Sequence, residues 1–147
     1  MTSRIDNNID ELMRRVKRNM AAYDFVFMLA YPPRELPNPI NKYHVAAIND
    51  GVKTSQIFIG GAVGEAVSGV MYEVQLTLRV YAPQKTSGQA LLRASSLIAD
   101  AVVRTDSDRA VDEISLLAIG YDDKTRTSYR DIRGKLSYLI GEEAEDD

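Results

Sequence analysis

The chain has 147 residues, 45% of them apolar, with a formal charge of −3 at neutral pH. That is enough for one domain with its own core, too apolar for a disordered chain, and too acidic overall to draw nucleic acid by its net field. It has no cysteine, which excludes disulfides, thiolate metal ligands and a cysteine nucleophile. The polar, charged start lacks a signal-peptide core, and no apolar run approaches the roughly 20 residues of a bilayer span. A soluble, intracellularly made protein is expected, with one domain over residues 1–141 and an acidic, disordered tail over 142–147.

The first expected element is a helix over residues 4–21. At about 100° per residue, Ile5, Ile9, Leu12, Met13, Val16 and Met20 share an arc of about 100°. Arg4, Arg14, Arg15, Lys17 and Arg18 occupy the rest of the circumference, and Ser3 is placed to cap the first turn. The stretch "YPPRELPNPI", 31–40, holds four of the five prolines and reads as an extended strap over the domain. "KYHVAAINDGVKTSQIFIGG" predicts a hairpin turning at Asp50-Gly51. "GGAVGEAVSG", 60–69, predicts a mobile small-residue loop.

In "VMYEVQLTLRVY", Val70, Tyr72, Val74, Leu76, Leu78 and Val80 alternate with Met71, Glu73, Gln75, Thr77, Arg79 and Tyr81. Period two predicts a strand with one face on a core and the other largely wet. Pro83 ends it, and a helix is expected from Ser87 or Gly88. Leu91, Ala94, Ser95, Ile98, Ala101 and Val102 form its main apolar stripe; Leu92, Ala99 and Val103 form a second. So wide a face needs cover from its own core or from another subunit. "EISLLAIGY" and "TSYRDIRGKLSYLI", joined through "DDKT", predict a closing hairpin. The expected fold is therefore α+β, a two-layer sandwich of a mostly antiparallel sheet of about five strands with two amphipathic helices. The order is helix, hairpin, strand, helix, hairpin.

Residues that could carry chemistry are sparse. His44, the only histidine, has no evident nucleophile or orienting partner in the sequence. The glycines at 60, 61 and 64 miss the dinucleotide spacing, and no Gly-Lys-Ser/Thr follows them. "AVSGV" around Ser68 lacks the first glycine of a nucleophile elbow. Asp106, Asp108 and Asp112 suggest a calcium loop, but Ala110 and Val111 stand where an oxygen donor and a glycine are needed. No catalytic residue, metal or cofactor is expected. The basic face of Arg14, Arg15, Lys17 and Arg18 is interrupted by Asp10 and Glu11 and has no interleaved aromatic residues, so a solvated face or an acidic protein neighbour is expected there.

The order of elements resembles tail terminator (tail completion or collar) proteins of long-tailed bacteriophages and phage-tail-like particles. It is carried by the N-terminal helix, the proline-bearing segment, "VQLTLRVYAPQKTSGQALLRASSLIADAV" and the late hairpin "LLAIGYDDKTRTSYRDIRGKLSYLI". "LRVYAP" running into a small-residue helix start is the most family-like phrase, and residues 4–141 are covered. The resemblance implies a structural protein of the virion tail, assembled in the bacterial cytoplasm. It implies a six-membered ring of identical copies that caps the tail tube, stops its polymerisation and joins it to the neck or closes a headless particle. The implied partners are the tube protein, sheath and head-connector proteins, with DNA only as cargo through the lumen. The candidate assembly contacts are Arg14, Arg15 and Arg18 toward an acidic neighbour, Gly60, Gly61, Gly64 and Glu65 toward the tube, and Leu92, Ala99 and Val103 between subunits. The alternative is a small α+β module that binds nucleic acid or protein through its open sheet face and basic first helix.

Overall fold

The computed structural model describes residues 4–28, 36, 40–59, 67–103 and 110–141. In chain order the elements are α1 (Arg4–Asn19), β1 (Val26–Met28), β2 (His44–Ile59), β3 (Val67–Tyr81), α2 (Gly88–Val103), β4 (Ala110–Asp122) and β5 (Thr127–Gly141). The strands form one sheet in the order β1-β2-β3-β5-β4. Among the described strands, only β1 runs parallel to its neighbour; the other pairings are antiparallel. The fold is thus an α+β sandwich of one sheet and two helices.

The core lies between the helices and one sheet face. Ile9, Leu12, Met13, Val16 and Met20 of the α1 segment and Leu91, Ile98, Ala101 and Val102 of α2 are buried in one cluster with Val74, Leu76, Leu78 and Val80 of β3. These are the residues that the 3.6 and 2.0 periodicities place on one face of each element. Burying each large aliphatic side chain contributes about 1.5–3 kcal/mol, so this shared cluster holds both helices to the sheet. α2 starts where expected. Ser87 accepts the Ala90 backbone N–H through its hydroxyl at 3.2 Å and satisfies a donor that the first helical turn leaves free.

Three expectations need correction. Asp50-Gly51 is not a hairpin turn: β2 runs unbroken across it as one strand of 16 residues. Asn49 pairs with Leu76 and Gly51 with Gln75, so Asp50 is the extra residue of a bulge, and its carboxylate accepts the Thr77 hydroxyl. Both halves of β2 find a continuous partner in β3, which a turn at residue 50 would forfeit. The first hairpin is instead β2 with β3, residues 60–66 join its paired ends Ile59 and Val67, and the fifth strand is β1. The expected loop over 60–69 therefore yields Val67, Ser68 and Gly69 to β3.

The third correction concerns the sheet face away from the helices, which is not simply wet. Ile40, Ala46 and Tyr81 are buried there, with Leu36, Met28 and Tyr129 packed against them. Leu36 and Ile40, the described residues of the proline-rich stretch, cover this end of the far face. Asp106 and Asp108 lie outside the described residues. His44 is buried and donates from Nδ1 to the Lys42 carbonyl at 2.9 Å.

Candidate functional site

Three places on the molecule could carry function. The first is the flank where α2 meets the edge strand β4. Leu92 and Val103 are 41% and 63% exposed, whereas Ala99 is 7% exposed and belongs to the core. Helical geometry explains the split of the expected second stripe. At about 100° per residue, Ala99 lies about 20° nearer the core-facing arc than Leu92 and about 40° nearer than Val103. Ala99 is therefore a packing residue and not an open subunit contact.

Leu116, Ile119 and Tyr121 of β4 are also exposed, Tyr121 by 60%. Their partners on β5 are Ile132, Arg130 and Ser128, which lie on the helix side of the sheet. A bulge between Leu116 and Ile119 shifts the register, so Ile119 and Tyr121 turn to the helix side in place of Ala118 and Gly120. A second bulge falls between Asp112 and Ser115, with Glu113 in the left-handed region (φ 56°) and its carboxylate 3.5 Å from the Lys135 ammonium. Ile119 Cδ1 sits beside Gly88, where even a Cβ would be in contact at 3.5 Å. Leu92 follows one turn later on that flank. The result is an apolar margin shared by a helix flank and a strand that has no partner on its outer edge among the described residues.

Arg130 holds this margin together. It donates from Nε to the Leu117 carbonyl at 2.8 Å and from Nη1 to Ser95 Oγ at 3.0 Å. Ser95 is fully buried, and its hydroxyl also lies 2.9 Å from the Leu91 carbonyl. A cation on the core side of a sheet is costly unless its donors are met. Meeting them here ties α2 to both β4 and β5.

The second place is the far face. Arg79 and Asp131 stand opposite each other on β3 and β5. The guanidinium donates from Nε and Nη2 to the two carboxylate oxygens at 2.8 and 2.9 Å, with its Cζ 4.0 Å from the centre of the Tyr129 ring. The hydrogen bond to Asp131 is the main cause that raises the Arg79 pKa above its usual value, and burial raises that of Tyr81. Both groups hold their protons more firmly than usual, which suits an anchor on the face that Leu36 and Ile40 cover and not a proton relay.

The third place was not legible as a unit in the sequence. A cleft of about 550 Å³ opens at the end of α1. Arg14, Lys17 and Arg18 form one wall; Met20, Tyr23, Phe25 and Phe27 form the other. The chain leaves α1 through a turn closed by the Tyr23 N–H to Met20 carbonyl bond at 3.0 Å and returns into β1. That reversal sets aromatic residues from after the helix beside cations within it. Tyr23 stacks on Phe25 (centroids 5.6 Å, planes 18° apart), and Phe25 meets Tyr43 edge-on at 5.2 Å. The helix itself interleaves no aromatic residue; the rings beside its basic face are supplied by the next segment.

Of the residues expected to make contacts, Arg14 and Arg18 line this cleft, while Arg15 is bound to Glu11 at 3.0 Å within the helix. Leu92 and Val103 lie on the α2–β4 margin. Gly60, Gly61, Gly64 and Glu65 lie outside the described residues. Among the described residues, no group of three His, Asp or Glu could hold a metal ion, and no helix is long and apolar enough to cross a membrane. In comparisons with known proteins, neither a protein-family model nor a curated sequence matches the chain.

Proposed function

We propose that the protein is a ring-forming structural subunit that caps the end of a phage or phage-like tail tube, stops tube growth and offers its outer surface to the neck or closes a headless particle. The observation that carries this reading is the apolar margin of Leu92, Val103, Leu116, Ile119 and Tyr121 along the open edge of β4. Such a margin favours burial against another protein surface, and identical copies related by rotation close into a ring without leaving it exposed. The element order and the "LRVYAP" phrase support the tail role specifically, through the resemblance given above. In this reading residues 60–66, at the junction of β2 and β3, meet the tube.

The test is the state of the purified protein. Light scattering should give a closed oligomer, and negative-stain microscopy should show rings, or caps on tubes when the tube protein is present. A protein that stays monomeric at high concentration and leaves tube ends bare would defeat the proposal.

A further inference from the structure

We propose that the cleft between the last turns of α1 and the Tyr23–Phe27 segment binds a nucleotide, with its phosphate on Arg14, Lys17 and Arg18 and its base on Tyr23. Three observations carry this. Arg14, Lys17 and Arg18 lie within an arc of about 100° on one helix face, and among the described residues no acidic side chain lines the cleft they enter. Their neighbours' charges are already engaged, Arg15 with Glu11 at 3.0 Å and Lys42 with Asp24 at 3.3 Å, whereas these three have no ion-pair partner among the described residues. Asp10, one turn before Arg14, weakens the field at that end, so the phosphate position centres on Lys17 and Arg18.

The rings decide which anion fits. Tyr23 is 46% exposed, with a ring stacked on Phe25 that is itself braced by Tyr43. A rigid, half-exposed ring beside cations suits a ligand that joins a flat base to a phosphate. Guanidinium groups match phosphate oxygens in a bidentate way, and the volume of about 550 Å³ is in the range of small-ligand sites. A carboxylate-rich segment would satisfy the cations and leave the rings unused. The most acidic such segment of the chain is Glu142 to Asp147. It follows Gly141, which pairs with Gly69 at the end of β3 remote from Tyr81 and from the cleft. The separation is about 40 Å at 3.4 Å per residue, against a reach of about 22 Å for six residues. Only another copy could place it there.

The proposal needs no ring and is tested on the full chain as it is purified. Fluorescence anisotropy would follow a labelled oligo(dT) strand at about 0.15 M salt, with ATP as a competing free nucleotide and a labelled GEEAEDD peptide as the acidic alternative. Strand binding is expected. Displacement by ATP would identify a free-nucleotide site, and failure of ATP to compete would identify a site for nucleotides within a strand. Tyr23→Ala should weaken binding about tenfold, the scale of one base–ring stack. The double variant Lys17→Glu, Arg18→Glu should weaken it by about a hundredfold and flatten its salt dependence. NMR amide shifts on adding ATP or strand to the unaltered protein should concentrate in residues 14–27, a readout that does not depend on the variants folding. No binding, preferential binding of the peptide, shifts outside that segment, or strand binding indifferent to Tyr23→Ala would overturn the proposal.

Discussion

The two helices pack against the same sheet face, yet they show the solvent opposite chemistry. α1 buries a narrow stripe and presents Arg14, Lys17 and Arg18, whose charges the rings of Tyr23 and Phe25 adjoin. α2 buries a wider face, carries no basic residue in its last turn, and leaves Leu92 and Val103 uncovered on the flank whose first turn meets Ile119. An apolar margin gains from area alone and accepts any complementary dry surface. A cationic, ring-lined cleft gains only from a ligand that answers both its charge and its flat rings. Under the two proposals above, the α2–β4 side is the assembly face and the α1–β1 side is the ligand face.

The contrast is one of surfaces only if both helices share one core. Met13→Ala in α1 and Ile98→Ala in α2 should therefore each cost about 2–5 kcal/mol and leave a single unfolding transition. Urea titration followed by circular dichroism checks this, and separate melting of one helix would break the comparison. Asp131→Ala should cost about 3 kcal/mol, because it strands the partly buried Arg79 charge. Changing both partners to Arg79→Met and Asp131→Leu should recover much of that loss, showing that the far face contributes fixation more than net stability. Ser87→Ala should cost about 1 kcal/mol through loss of the α2 cap.

Smallest in stability, and most telling for the contrast, are the surface variants. Leu92→Glu and Tyr121→Glu should move stability by only about 0.5 kcal/mol while abolishing the oligomer in light scattering. Arg14→Glu with Arg18→Glu should leave the oligomer intact. If that pair instead weakens assembly, and more at low salt than at high, the α1 face is a subunit contact after all. Replacing residues 60–66 with Asn-Gly, which suits a two-residue hairpin between Ile59 and Val67, should leave soluble protein that no longer sets tail length. Normal tails from that variant would remove the docking role.

Much of the fold was legible because single elements carried their own periodicity. The core faces of α1, β3 and α2 follow largely from spacing, Ala99 excepted, and the start of α2 from Ser87. The failures share a cause. Asp50-Gly51 has the local chemistry of a turn, but β3 offers β2 a longer ladder, and pairing outweighed the local preference. Arg130 falls in the core-facing register of β5, and nothing in the sequence shows that Leu117 and Ser95 would receive its donors. The site was harder still, since Tyr23 and Phe25 lie in a short segment without periodicity, and their position beside Arg18 depends on the direction in which the chain reverses.

By itself the sequence determined most of the inward-facing residues of α1, β3 and α2, because burial of apolar groups at periods of 3.6 and 2.0 is a local constraint. It also determined the chemistry at hand: no cysteine, one histidine, and a helix with cations on its outer side. Only the tertiary structure decided which side chains meet across elements: the bulge in place of a turn, the covered far face, the apolar β4 margin and the aromatic wall beside Arg14, Lys17 and Arg18. Those depend on the relative free energies of competing long-range pairings, which are set by partners distant in the chain and leave no periodic trace.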